Sequence, residues 1–393
     1  MSQSLAVGEP VARPAAAHER PAALDPRRKL QLALAGIWLL DAMLQFQPVM
    51  FGHGFGRMLA ASAAGNPAIV ARPVSWSAAF IDHHVAVLNA VFAAIQVLLG
   101  LGIAWRPTRR LALAASVAWA LAVWWLGEGL GGLLSGTASP VNGAPGAVLL
   151  YALLAVLLYA LLAVLLWPAG RDPAGRDPAG RDPAGRDPAG RDPAGRDPAG
   201  RDLADHDGTG RDRTDRDSAA PFPAARAIGH RAAQACWLVL WLGLAGLALL
   251  AAIRGPGALG DMIAATVPGE PAWLAWIDTH AASAVTRHGL LASVLLAAIL
   301  TAVALMPCLR PARPAAQAAV ILALVVAAAL WLAQGLGGLF TGAATDPGTA
   351  PLLALLALAF WPAAAPGSAP GSAPGSAPGS APGSAPGAAP GTA

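Results

Sequence analysis

A chain of 393 residues that is 56% hydrophobic and 12% charged has too few polar side chains to coat soluble domains of that size. Its formal net charge of +4 does not signal a nucleic-acid partner, because the arginines fall at the ends of apolar runs and in a repetitive linker rather than on an aromatic-interleaved surface. The two cysteines, Cys236 and Cys308, show neither a CxxC pair nor metal-ligand spacing, so no disulfide framework and no metal site is indicated.

Residues 1–27 carry Ala, Pro, Glu and Arg without apolar periodicity and read as a disordered tail. Arg27, Arg28 and Lys29 then abut an apolar run at 30–51, and such a basic cluster holds its end of a span in the cytoplasm. The loop 52–81 is mixed enough for short interfacial helices. A second span is expected at 85–105, Arg106, Arg109 and Arg110 at its inner end, a third span at 111–134 and a fourth at 146–167. The unit 28–168 is therefore a four-helix membrane bundle. Arg-Asp-Pro-Ala-Gly repeats fill much of 169–229, which reads as a disordered cytoplasmic linker. A second unit, 230–362, offers spans at 232–253, 289–306, 315–340 and 350–361, with Arg310 and Arg313 again on the inner side. An Ala-Pro-Gly-Ser repeat makes 363–393 a disordered tail.

The units echo each other. The stretch 124–136 contains Gly-Leu-Gly-Gly at 129–132, and 331–342 contains it again at 335–338. Gly65-Asn66-Pro67 matches Gly269-Glu270-Pro271, and Ile81-Asp82 matches Ile277-Asp278. The expected fold class is an all-α integral membrane protein, with eight transmembrane helices as two tandem parallel four-helix bundles. The expected location is the bacterial cytoplasmic (inner) membrane, with both termini cytoplasmic and the lipid bilayer as the immediate partner.

Ionisable groups inside a span are costly, about 2.5 to 3.5 kcal/mol for an Asp at the centre of a span, so each requires an explanation. Asp41 lies about 16 Å along the first helix and Gln45 one turn beyond it. Glu128 lies about 25 Å along the third helix, flanked by Trp124 and Trp125. Asn89 and Gln96 share a face of the second helix. Asp41 and Glu128 are the candidate proton-exchanging groups; Gln45, Asn89, Gln96, Trp124 and Trp125 are candidate ligand contacts. The competing reading makes the amides cross-helix hydrogen-bonding glue and the glycines packing sites. The second unit argues for function in the carboxyls: Glu128 becomes Gln334, and the region matching Asp41 is apolar. On that comparison the first unit carries any chemistry and the second is scaffold. His53, His83 and His84 stand at a helix end rather than inside a bundle and do not suit haem ligation.

The pattern at 39–51, the four-span unit, and Trp125-Leu-Gly-Glu128-Gly-Leu-Gly-Gly132 followed by Ser135-Gly-Thr-Ala-Ser-Pro140 resemble the DoxX-like family of small bacterial four-helix membrane proteins. The resemblance covers 28–168 well and 230–362 loosely. It implies an envelope redox role, with a redox-enzyme partner subunit and a quinone-type or small amphipathic ligand held in the first unit. A proton-coupled solute transporter and a non-catalytic assembly subunit are the alternatives, and whether the chain is an enzyme stays open.

Overall fold

In the computed structural model, residues 25–166, 228–309 and 313–362 are described. The tails expected at 1–27 and 363–393, the linker expected at 169–229 and Arg310 lie wholly or almost wholly outside them. The described residues are helical, with no strand among them.

The first half opens with α1 (Pro26–Leu44), started by Pro26 in the first turn and by the Asp25 carboxylate, which accepts from the Arg27 N–H. α1 stops well short of 51. The Gln45 carbonyl is taken by Asn89 Nδ2 at 2.7 Å, and Pro48, which has no N–H to continue a helix, opens a 3-10 turn at Pro48–Phe51. Two short helices follow, α2 (His53–Ala61) and α3 (Ala68–His83). α4 (Val85–Ala104) and α5 (Arg109–Leu126) are long and apolar, and α6 (Ala147–Leu166) completes the half. α1 packs on α4, α4 on α5, α5 on α6 and α6 on α1, closing a ring of four. The core of this ring includes Leu34, Trp38, Leu113 and Tyr151.

The second half runs α7 (His230–Arg254), α8 (Ala258–Ala264), α9 (Ala272–His288), α10 (Leu290–Leu309), α11 (Arg313–Ala333) and α12 (Thr349–Ala359). α7 packs on α10, α10 on α11 and α11 on α12. The halves meet along α6 and α12, and Arg254 at the end of α7 donates to the carbonyls of Thr137 and Ala138 at 2.8 and 2.9 Å. One continuous apolar core runs through both halves, and the described residues as far as Pro362 belong to one compact body.

Among the described residues five helices are long and apolar enough to cross a membrane: Val85–Ala104, Arg109–Leu126, His230–Arg254, Leu290–Leu309 and Arg313–Ala333. α12, at 11 residues, reaches about 16 Å, roughly half of a hydrocarbon core of about 30 Å.

The third span expected at 111–134 ends early, at Leu126, and its counterpart in the second half ends at Ala333 rather than 340. The cause is the shared Gly-Leu-Gly-Gly. Gly129, Leu130, Gly131 and Gly132 have φ of 56°, 60°, 61° and 70°, and Gly335, Leu336, Gly337 and Gly338 have 58°, 53°, 68° and 69°. Each stretch is one turn of left-handed backbone. An L-residue there costs about 1–2 kcal/mol, which is why three of the four positions are glycine. The turn also comes close to the loop ahead of the next helix: a Cβ on Gly131 would collide with the Pro145 carbonyl, and one on Gly337 with that of Pro347.

Candidate functional site: a cavity between the halves

Beneath the first left-handed turn lies a cavity of about 780 Å³, within the usual size range of small-molecule sites. Its wall draws on both halves. Trp38, Asp41 and Gln45 come from α1, Gln96 from α4, Trp119 from α5 and Glu128 from the break after α5. Gln334, Asp346 and Thr349 come from the second half.

Asp41 is 2% exposed and accepts the Tyr151 hydroxyl through Oδ2 at 2.6 Å, while Oδ1 has no donor. Tyr151 in turn rests on the Trp38 indole, with ring centroids 4.5 Å apart. Glu128 presents its carboxyl to the backbone N–H groups of Ala147 and Val148 at the start of α6, where a helix favours negative charge. Its Oε2 is buried without a hydrogen-bond partner. Asp346, in the loop before α12, accepts from the Gly348 N–H at 2.8 Å and the Thr345 hydroxyl at 3.0 Å. Burial pushes the Asp346 carboxyl above its usual range, and those two donors partly offset the effect. The charge of Asp346 acts on both Asp41 and Glu128, so three carboxyls share this space.

Of the residues expected at a site, Asp41, Gln45, Gln96 and Glu128 come together around the cavity. The other three stand elsewhere. Asn89 is fully buried, and its Nδ2 caps the Gln45 carbonyl at the end of α1. Trp124 Nε1 donates to the Pro145 carbonyl at 2.7 Å, bracing the loop ahead of α6. Trp125 is 47% exposed on the outside of the bundle. In sequence Trp125 aligns with Trp331, three residues before the Glu/Gln position, yet Trp331 Nε1 makes the bond equivalent to that of Trp124, to Pro347 at 2.8 Å. Gly127 explains the slip: Glu128 N–H bonds the Val123 carbonyl five residues back, so the first half carries one extra residue at this helix end.

Two site residues escaped the sequence reading. Tyr151 opens a tandem Tyr-Ala-Leu-Leu pattern at 151–154 and 159–162 within an apolar run, so nothing local marks one tyrosine of the two as polar lining. Asp346 lies in a loop of the half expected to be scaffold. Gln334 departs from that scaffold reading too. Its Nε2 crosses to the Pro140 carbonyl of the first half at 2.9 Å, and its Oε1 accepts Thr349 Oγ1 at 3.2 Å.

Apolar helices packed into one body around a polar-walled cavity point to a multi-pass helical membrane protein. Compared with known proteins, the chain matches no family model, no curated protein and no solved structure.

Proposed function

We propose that this is a DoxX-like inner-membrane protein, an internal duplication with eight membrane-embedded helices, acting as the membrane subunit of a redox system. Its cavity binds a quinone-type or other small amphipathic ligand. One observation carries the reading: the cavity wall presents buried polar atoms with no hydrogen-bond partner. Acceptors are Asp41 Oδ1, Gln45 Oε1, Gln96 Oε1 and Glu128 Oε2; donors are Trp38 Nε1 and Trp119 Nε1. Each such atom costs about 1–3 kcal/mol if left unmet, and a ligand with both carbonyl and hydroxyl character meets both kinds. The indole N–H groups bond a ligand carbonyl, Gln45 and Gln96 accept a ligand hydroxyl, and Asp41 and Glu128 pass on the two protons taken up when a redox-enzyme partner subunit delivers two electrons to the quinone.

Equilibrium binding of a short-chain benzoquinone, with proton uptake followed on its reduction, tests this on the full chain in lipid vesicles. Glu128→Gln should fold, because Gln334 fills the corresponding place in the second half, and should lower proton uptake at least tenfold. Wild-type binding and proton uptake in both Glu128→Gln and Asp41→Asn would overturn the reading.

A second reading, proton-coupled transport of a small solute, is favoured by one specific feature. Asp346 joins Asp41 and Glu128 from the opposite half, and parallel-repeat transporters hold substrate at the repeat interface. Uptake by proteoliposomes that follows an imposed proton gradient and is lost in Asp346→Asn would select it. An assembly role alone would leave the unmet polar atoms without an occupant.

A further inference from the structure

Away from the cavity, the second half carries another pair of carboxyls. Glu270 immediately precedes Pro271, which caps α9, and Asp278 sits in the middle of α9 with 1% of its surface exposed. The two carboxyls lie within hydrogen-bonding reach of each other. Among the described residues no N–H or O–H reaches any of their four oxygens, and all four are shielded from solvent. Glu270 Oε1 packs so closely on Gly335, the first residue of the second left-handed turn, that a Cβ there would collide with it.

The first half closes the same corner without charge. Asn66 stands where Glu270 does, before the proline that caps α3, and its Nδ2 donates to the Ser62 carbonyl at 2.9 Å. Counted from that proline, the α3 residue matching Asp278 is Val74, fully buried. The Ile-Asp echo in the sequence therefore misleads, since Asp82 stands in the last turn of α3 and pairs instead with His53 Nδ1 at 2.9 Å. The fold does not need acids at this corner.

Among the described residues no cation balances the pair. Asp261 on α8, His280, Arg287 and His288 on α9 itself, and Arg313 on α11 are the other titratable or charged groups on α9 and its helical neighbours. α10 brings only Cys308, and the left-handed turn brings none. The charge that acts on Asp278 is that of Glu270. Two carboxylates in contact and out of water cannot both ionise, and the stable solution is one shared proton.

We propose that Glu270 and Asp278 form a proton-binding site, sharing one proton in a carboxyl–carboxylate hydrogen bond, separate from Asp41 and Glu128. Burial first and the Glu270 charge second push the Asp278 carboxyl up to about 7, so its proton is exchangeable near neutrality. Losing the proton leaves two anions side by side, with the Glu270 carboxylate against Gly335, two residues before Gly337 in the cavity wall.

The test is pH-difference infrared spectroscopy on the full chain in phosphatidylcholine vesicles. Glu270→Asn and Asp278→Val are the variants, both residues that the first half already uses at this corner; helicity and monodispersity establish that each has folded. A protonated-carboxyl band that titrates near neutral pH, disappears in either variant and survives in Asp41→Asn supports the site. A band that persists in both variants, or is lost in Asp41→Asn, overturns it. Calcium chloride added at mildly alkaline pH is the remaining arm. A stoichiometric shift of the carboxylate bands that both variants lack would make this a cation site and overturn the proton assignment.

Discussion

Tyr151 donates its hydroxyl to Asp41 across 2.6 Å, between two helices 110 residues apart in the chain. The bond joins the first and last helices of the four-membered ring and leaves one Asp41 oxygen for the cavity. Tyr151→Phe leaves Asp41 Oδ2 without its donor and should cost about 1–3 kcal/mol. A double-mutant cycle with Asp41→Asn, read by thermal unfolding in detergent, should give a coupling energy of about 0.5–3 kcal/mol. Strict additivity would mean that the pair does not hold the ring together.

The left-handed turns make a graded prediction. Gly131 and Gly136 both have positive φ, 61° and 72°, but a Cβ on Gly131 meets the Pro145 carbonyl whereas one on Gly136 meets open space. Gly136→Ala should cost about 1–2 kcal/mol for handedness alone. Gly131→Ala should cost clearly more, visible as the lower melting temperature of the two.

The adjacent tryptophans should separate in the same assay. Trp124→Phe strands the Pro145 carbonyl in a part-buried contact and should lose about 1 kcal/mol or more. Trp125→Phe, on a side chain that faces outward, should be near neutral for both stability and ligand binding. Equal losses would contradict the one-residue slip at Gly127.

Stability should also depend on pH through Asp278. Its carboxyl is raised from an ordinary 3.8 to about 7 in the folded chain. Between those values the folded state keeps a proton that the unfolded chain has released. The stabilisation is therefore fully present below pH 3.8 and is lost as pH rises through about 7. Melting temperature measured across this window should fall in the wild type and fall less steeply in Asp278→Val. An unchanged slope would show that Asp278 is not the group responsible.

Much of this architecture was legible from apolar runs. The expected spans at 85–105 and 232–253 became α4 and α7 within a residue or two at each end. Such runs are continuous and carry no competing backbone signal. The ends at 44 and 126 were less legible, because Leu and Gly after 126 extend the hydrophobic pattern while reversing the hand of the backbone, and composition does not record φ. At the site, Asp41, Gln45, Gln96 and Glu128 stood out as polar groups within apolar runs, and all four line the cavity. Trp124 and Trp125 could not be told apart, because one inserted glycine rotates the register by a residue. Asp346 was out of reach for a different reason: its place in the cavity depends on how the halves pack, and no local pattern encodes that.

The mirror-handed turns also bear on how this chain can change over time. A buried helix position accepts Leu, Ile, Val or Met with little loss, so most of the apolar surface is free to drift. Six of the eight positions in the two turns are glycine and are held by backbone chirality. Related chains would therefore diverge first in their hydrophobic runs and last in these short coils, and two Gly-Leu-Gly-Gly stretches about two hundred residues apart are the mark by which a distant descendant would still be known.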